Sequence, residues 1–207
     1  MLIVTTPAPD RTLLTIEDLR AAVGVTDGSK DALLTRLGNQ VAAGITSACH
    51  VARAGAQPPT LRLETLTETF RVSHHHDGAR GHELLLARRP IVSVASVTID
   101  GAVLDASDYE ADAAAGILRR IDGAWHGRVI TVLYDAGYAT VPDDLAFAAR
   151  QYVQLLYWQD GRDPNLSMEM TEGVGRQQWF ANPNAGTAIP PSIMQLLESG
   201  GYVEHWV

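Results

Sequence analysis

The spacing of apolar residues changes twice along this chain, and the changes divide it into three parts. In the first part, apolar side chains recur every three or four positions, as they do along one face of a helix. Thr15 and Asp18 form a capping-box pattern and Gly24 stops the segment, which predicts a helix over 15–23. A second helix is predicted over 31–53. Its apolar positions are Leu34, Leu37, Val41, Ile45, Ala48 and Ala52.

The second part, residues 61–135, alternates between apolar and polar positions as strands do. Asp100-Gly101 is a strong hairpin signal, and the run from Val129 to Tyr134 is apolar on both faces, which indicates a central strand. Short connections predict that the strands form an antiparallel sheet. The strands are predicted at 61–72, 83–87, 94–99, 109–112, 116–121 and 128–134.

The third part returns to the helical period. Pro142, Asp143 and Asp144 are typical first-turn residues, and they predict a helix over 143–160. Residues 162–190 show no period, so we expect a loop that is not ordered before assembly. A short helix is predicted over 192–198.

This order of elements predicts an α+β fold rather than an alternating α/β chain. We expect a helical bundle with an inserted small antiparallel β-module and an extended C-terminal arm. Residues 1–161 would form the core, and residues 162–207 would form a loop and an arm that docks on a partner.

Composition narrows the function classes. The chain has 207 residues, a net charge of -8 and a pI near 5.3, which disfavours a protein that wraps nucleic acid. Cys49 is the single cysteine, and in its Ala-rich surroundings we expect a small buried side chain and no disulfide. No run of 18 apolar residues is present, so no membrane span is expected, and the first residues lack the pattern of a signal peptide.

A search for chemistry finds one candidate, the cluster of His74, His75, His76 and His82 with Asp77 and Glu83. Imidazoles and carboxylates bind zinc, but this run lies in a polar turn next to Gly78 and Gly81, which offers little support for fixed ligands. Phosphate-binding glycine loops and the G-x-S-x-G elbow are missing from the sequence. We therefore assign no catalytic residue, metal or cofactor.

Two features suggest close packing or docking. Gly38 and Gly44 lie on the predicted long helix, where they permit another backbone to approach, either within this chain or from a neighbouring subunit. The C-terminal arm is rich in apolar and aromatic residues, which need to be buried either in the chain's own core or against a partner. The candidate docking residues are Ile193, Met194, Leu197, Tyr202 and Trp206.

Three segments together resemble the head–tail connector, or adaptor, proteins of long-tailed phages and of phage-derived gene transfer agents. They are LLTIEDLRAAVGVTDGSKDALLTRL (13–37), LLLARRPIVSVASVTIDG (84–101) and DYEADAAAGILRRIDGAWHGRVITVLYDAGYATVPDDLAFAARQYVQLLYW (108–158). The similarity to a gene transfer agent adaptor is the strongest. Each segment is a structural signature without chemistry, and it is their order that is specific.

The resemblance implies a structural subunit of a closed ring of about twelve copies in the neck of a virion or phage-like particle. The ring would lie beneath the portal, extend the DNA channel without reading DNA sequence, and present a platform to stopper or tail proteins. The arm over 190–207 would reach the portal, and assembly would take place in the bacterial cytoplasm. An acidic surface with few lysines fits a channel wall along which DNA slides.

Two other functions remain open from the sequence. One is another virion or tail-completion protein, which would lack catalysis in the same way but have different neighbours. The other is a small metal-dependent enzyme built on His74–His82.

Overall fold

The computed structural model describes residues 1–71, 81–160, 168–171, 175–178 and 189–203. By its contacts the chain divides into two units. The β-unit comprises Met1–Arg11 and His50–Val141, and the helical unit comprises Thr12–Cys49 and Pro142–Val207. The α+β fold class is confirmed, with four helices and antiparallel sheets among the described residues.

The β-unit contains strands β1 to β8. Their bounds are β1 Leu2–Thr6, β2 Glu64–Arg71, β3 Glu83–Leu85, β4 Ile91–Ile99, β5 Ala102–Val103, β6 Tyr109–Asp112, β7 Ile117–Arg120 and β8 Val129–Ala136. One sheet has the order β1-β2-β8-β4-β5 and a second has the order β3-β7-β6, both antiparallel. The β-module therefore folds as two sheets rather than the single sheet that short connections suggested.

One apolar core serves both sheets of the β-unit. Leu66, Val97 and Ile130 come from the five-stranded sheet and Leu118 from the three-stranded sheet, and all four are fully buried in one cluster. Strand β8 lies in the middle of its sheet, which confirms the central strand expected from its two apolar faces. Asp100 and Gly101 have φ of 51° and 87° and close the β4–β5 hairpin, as their sequence predicted.

The helical unit contains α1 to α4 and a hairpin of two strands. Their bounds are α1 Ile16–Val23, α2 Asp31–Ala48, α3 Asp143–Gln159, β9 Met168–Thr171, β10 Gly175–Gln178 and α4 Pro191–Ser199. Thr15 and Asp18 form the predicted capping box at α1, and Gly24 ends that helix with φ of 73°. Helix α3 packs against α1, α2 and α4. None of the helices in the described ranges is both long and apolar enough to cross a bilayer.

Several predicted boundaries were wrong. Helix α2 ends at Ala48 rather than 53, because His50 adopts a left-handed backbone with φ of 53°. Strand β1 was not predicted at all, and β2 starts at Glu64 rather than 61. Strands β9 and β10 lie within 162–190, where we expected a loop without regular structure. Residues 162–167, 172–174 and 179–188 of that expected unordered segment lie outside the described residues.

Candidate docking groove on the helical unit

Helix α4 has one face buried in the helical unit. Pro190 precedes it and Pro191 occupies its first position, where proline's fixed φ suits a helix start. Ile193 and Leu197, four positions apart, are both fully buried, and α4 packs on α3. This face anchors α4 to the rest of the unit.

The adjacent face of α4 borders an open groove, which we call the α2–α4 groove. Its volume is about 640 Å³. Met194 supplies a flexible apolar side chain of the kind that adapts to different partners, and Glu198 adds a carboxylate. The eight lining residues are Gly44, Ser47, Ala48, Ile189, Pro191, Met194, Gln195 and Glu198. The groove is thus an apolar cleft with a few polar groups, a form that suits binding of an apolar side chain or short segment.

The glycines of α2 are explained by packing within this chain. A Cβ at Gly38 would lie 3.1 Å from Leu19 Cδ1, and a Cβ at Gly44 would lie 3.3 Å from Tyr152 Cε1. The sequence left open whether these glycines face this chain or a neighbouring subunit. Both positions contact helices of this chain. Gly44 also keeps a side chain out of the α2–α4 groove, which it lines.

The chain turns back on itself after α4. The amide of Tyr202 donates to the carbonyl of Leu197 at 2.9 Å, and its hydroxyl donates to Asp144 Oδ1 at 2.5 Å. A Cβ at Gly200 would lie 2.5 Å from the Tyr202 ring, so a larger residue there would displace that ring. Tyr202 therefore ties the end of α4 to the first turn of α3.

The structure separates the five candidate docking residues. Ile193 and Leu197 lie in the core of the helical unit, Met194 lines the α2–α4 groove, and Tyr202 bonds to Asp144. Trp206 lies outside the described residues. Docking on a partner through these residues stays a prediction, with Met194 as the member placed on an open surface.

Sequence reasoning missed three exposed apolar side chains on α3. Phe147, Leu155 and Trp158 are 48%, 38% and 71% exposed, and the Trp158 ring meets Tyr157 edge-to-face with centroids 5.4 Å apart. The helical period of this segment predicts a buried face made of Leu145, Ala149, Tyr152, Val153 and Leu156. The first four are buried, whereas Leu156 is half-buried. Large apolar residues off that face were the available signal.

The buried charges of the β-unit hold its framework together. Glu64, 2% exposed, lies 3.5 Å from Arg11 and 3.6 Å from Arg88. Arg88 donates to the carbonyls of Ala52 at 2.8 Å and Thr60 at 2.7 Å, and burial lowers the pKa of its guanidinium. Each charge is thus matched by an opposite charge or a hydrogen bond, as buried ions require.

A second buried pair joins β2, the strand that also carries Glu64, to β8. Glu68 accepts hydrogen bonds from the Tyr134 hydroxyl at 3.0 Å and from the Ala87 amide at 2.9 Å. Burial, and then the nearby Glu68 carboxylate, raise the pKa of Tyr134 far above its usual range. A tyrosine held neutral in this way serves as a hydrogen-bond donor rather than as a base.

Only part of the candidate zinc cluster lies within the described residues. His74, His75, His76 and Asp77 lie outside the described residues, whereas His82 is exposed. Among the residues that are described, no three His, Cys, Asp or Glu side chains come close enough to bind a metal ion. Cys49 is 7% exposed, which confirms the small buried side chain expected from the sequence.

Comparisons with known proteins bear on both units. A model of the head completion protein family matches residues 12–199. A solved chain from the neck of an empty gene transfer agent particle, computed with C6 symmetry, superposes with a TM-score of 0.62 at 18% identity. That alignment covers 100% of this chain and 97% of the other, so the two share a fold over their whole length. A comparison with curated proteins finds no significant match.

Proposed function

This chain belongs to the head completion protein family, and from that premise we propose that it is a non-enzymatic structural subunit joining the head of a phage-type particle to its tail. The observation that carries the proposal is the extent of the family match. It runs over residues 12–199, from just before α1 to the end of α4, and so includes both units. A virion component of this kind acts by binding its neighbours.

The finer part of the proposal is a closed ring beneath the portal, formed by about twelve copies around the DNA channel. The similar solved chain comes from a particle neck computed with C6 symmetry, which is compatible with twelve copies as two per symmetry unit. In a ring with cyclic symmetry, each copy presents two different surfaces to its two neighbours. The exposed apolar side chains of α3 offer one surface of the helical unit for such a lateral contact.

Portal docking is assigned to the C-terminal arm, 190–207. Met194 and the α2–α4 groove are the open part of that region, and an apolar side chain of a partner would fit the groove. Ile193, Leu197 and Tyr202 contribute by holding α4 in place. The stopper or tail proteins would contact a different surface of the ring.

Inactivation of the gene in its producing strain tests this function directly. We expect filled heads and separate tails to accumulate, because the part that joins them is missing, and we expect purified protein to restore joined particles in an extract. Electron microscopy measures the fraction of heads that are joined to tails. Normal joined particles without the chain would contradict the proposal.

Native mass spectrometry of the purified chain tests the ring. An oligomer near twelve copies without metal supports it, whereas a monomer that carries one zinc per chain would favour the metal-dependent enzyme. Cross-linking in particles then identifies the neighbour. Products with the portal support the connector position, and products with tail proteins alone would move the chain to a tail-completion role.

A further inference from the structure

Among the residues that the structure describes, strand β1 is an unpaired edge of the five-stranded sheet. It pairs with β2 on one side and stands at the end of the order β1-β2-β8-β4-β5. Leu2 and Val4 pack on the core of the β-unit, while Ile3 on the other face is 44% exposed. The strand is therefore fixed in place by its own core and presents its outer backbone edge.

The hydrogen bonds show which backbone groups face outward. Met1 and Thr69 exchange two bonds, N to O at 2.6 Å and at 2.8 Å in the reverse direction. In an antiparallel ladder, hydrogen-bonded and non-hydrogen-bonded pairs alternate. The backbone amide and carbonyl of Ile3, opposite Thr67, therefore point toward β2. The amides and carbonyls of Leu2 and Val4 consequently point away from β2. They offer two donors and two acceptors to a further strand.

This edge lacks the features that protect sheet edges elsewhere. Its five residues, LIVTT, include no charge and no proline, and aliphatic and β-branched residues favour strand pairing. The opposite edge is different, because β5 has only two residues and β4 carries two register shifts. The β5 edge of the sheet is therefore poorly suited to pairing with a further strand, whereas the β1 edge is well suited to it.

The hairpin of β9 and β10 would be stabilised by pairing with a further strand. Its two strands have four residues each and form a sheet of their own, and within the described part of the chain neither belongs to a larger sheet. Two strands alone are marginally stable in water, whereas three form a stable sheet. The hairpin also matches β1 in length.

We propose that the β9–β10 hairpin of one copy pairs with the β1 edge of a second copy, extending that copy's five-stranded sheet. The inference rests on the proposed ring, and it names a contact that the subunits need in order to associate. Because hairpin and edge are different surfaces, the contact is head-to-tail, as a closed ring requires. Main-chain hydrogen bonds supply its affinity.

Two variants test the pairing. In one, residues 168–178 are replaced by a Gly-Ser linker of equal length, which removes the hairpin. In the other, Val4→Pro removes an outward amide without touching a bond to β2. Val4→Ala is the matched control, because it loses the side chain but keeps that amide. Circular dichroism first establishes that each chain is folded.

Native mass spectrometry reads the result. Each variant alone should be monomeric, and a mixture of the two should give a heterodimer and nothing larger, since one complete contact is available per pair. Val4→Ala should assemble like the wild type. In residue-resolved hydrogen exchange, the amides of Leu2 and Val4 should become protected only on assembly, whereas the amide of Ile3 should be protected in both states.

Assembly of either variant alone, or a Val4→Ala chain that behaves like Val4→Pro, would overturn the pairing. A wild-type chain that stays monomeric at every concentration also rejects it. The connector function is judged separately by the joining of heads to tails. A Val4→Pro chain that assembles and joins particles normally rejects the pairing and leaves the connector function intact.

Discussion

Gly137 stands where the end of β8 meets the segment before β2. Its φ is 102°, and a Cβ there would lie 2.5 Å from the carbonyl oxygen of Arg62. The neighbouring Tyr138 amide donates to the carbonyl of Leu61 at 2.9 Å, so this part of the backbone has no room to shift. At this position, backbone contact rather than side-chain chemistry determines the residue.

Gly137→Ala should destabilise the protein by about 2–4 kcal/mol, because it combines strained φ with overlap of main-chain atoms. Gly101→Ala is the control. It also has positive φ, 87°, but open space around its Cβ, and it should cost about 1 kcal/mol. Urea unfolding measures both, and equal losses would contradict the role of the Arg62 contact.

Tyr134 predicts a dependence of stability on alkaline pH. Its pKa in the folded chain is raised above the ordinary 10.0 of tyrosine, so the folded state keeps a proton that the unfolded state releases. Stability from this group is complete below pH about 10 and is lost as pH rises further. Tyr134→Phe should make the fall in unfolding free energy above this pH shallower, although it also removes the bond to Glu68.

Urea midpoints measured from neutral pH up to the alkaline limit of folding test this prediction. The informative quantity is the slope with pH and not the absolute stability, which the lost hydrogen bond lowers by about 1–2 kcal/mol. Identical slopes for wild type and variant would show that Tyr134 does not titrate differently in the two states.

At the scale of elements, α4 combines two roles on two faces. Ile193 and Leu197 are buried in the unit's own core, whereas Met194 borders the α2–α4 groove. The tie between Tyr202 and Asp144 holds the end of the helix against α3. A substitution on one face should therefore affect folding, and a substitution on the other should affect binding.

Met194→Gln should weaken binding to the isolated portal protein by about tenfold while changing the unfolding free energy by less than about 1 kcal/mol. Ile193→Ala should cost about 2–5 kcal/mol of stability, because it empties a fully buried site. Ser192→Ala, on an exposed position of the same helix outside the groove, is the binding control. Surface plasmon resonance and thermal unfolding separate the two effects, and unchanged portal binding by Met194→Gln would remove the groove from the docking site.

At the scale of the whole molecule, charge has the clearest consequence. A net charge of -8 on 207 residues repels phosphates, and a channel wall of this kind would let DNA pass without being held. The buried carboxylates Glu64 and Glu68 are already engaged within the β-unit, so this repulsion comes from the remaining, more exposed carboxylates.

The isolated chain should therefore bind duplex DNA no more tightly than about 10⁻⁴ M at physiological salt, the weak end of non-specific affinity. Fluorescence anisotropy with a labelled duplex over a range of salt concentrations measures this. Tight binding that weakens steeply as salt rises would reveal a basic surface and contradict the expected repulsion.

The sequence by itself determined the elements that depend on contacts between neighbouring residues. The capping box at Thr15, the Asp100-Gly101 hairpin and the central strand β8 formed as predicted, because each depends on neighbours in the chain or on a simple period. The ordered segments also led to the correct family, although no single residue in them carries chemistry.

Tertiary structure decided what depends on distant contacts. Strand β1 exists because Leu2 and Val4 find the core of the β-unit, and Gly38 and Gly44 are explained only by Leu19 and Tyr152 across the helical unit. The same holds for the arm, where period alone could not tell that Ile193 is buried while Met194 faces a groove. A helical period shows that apolar residues share one face of a helix. Only the tertiary contacts determine whether such a residue is buried within this chain or exposed to a partner protein.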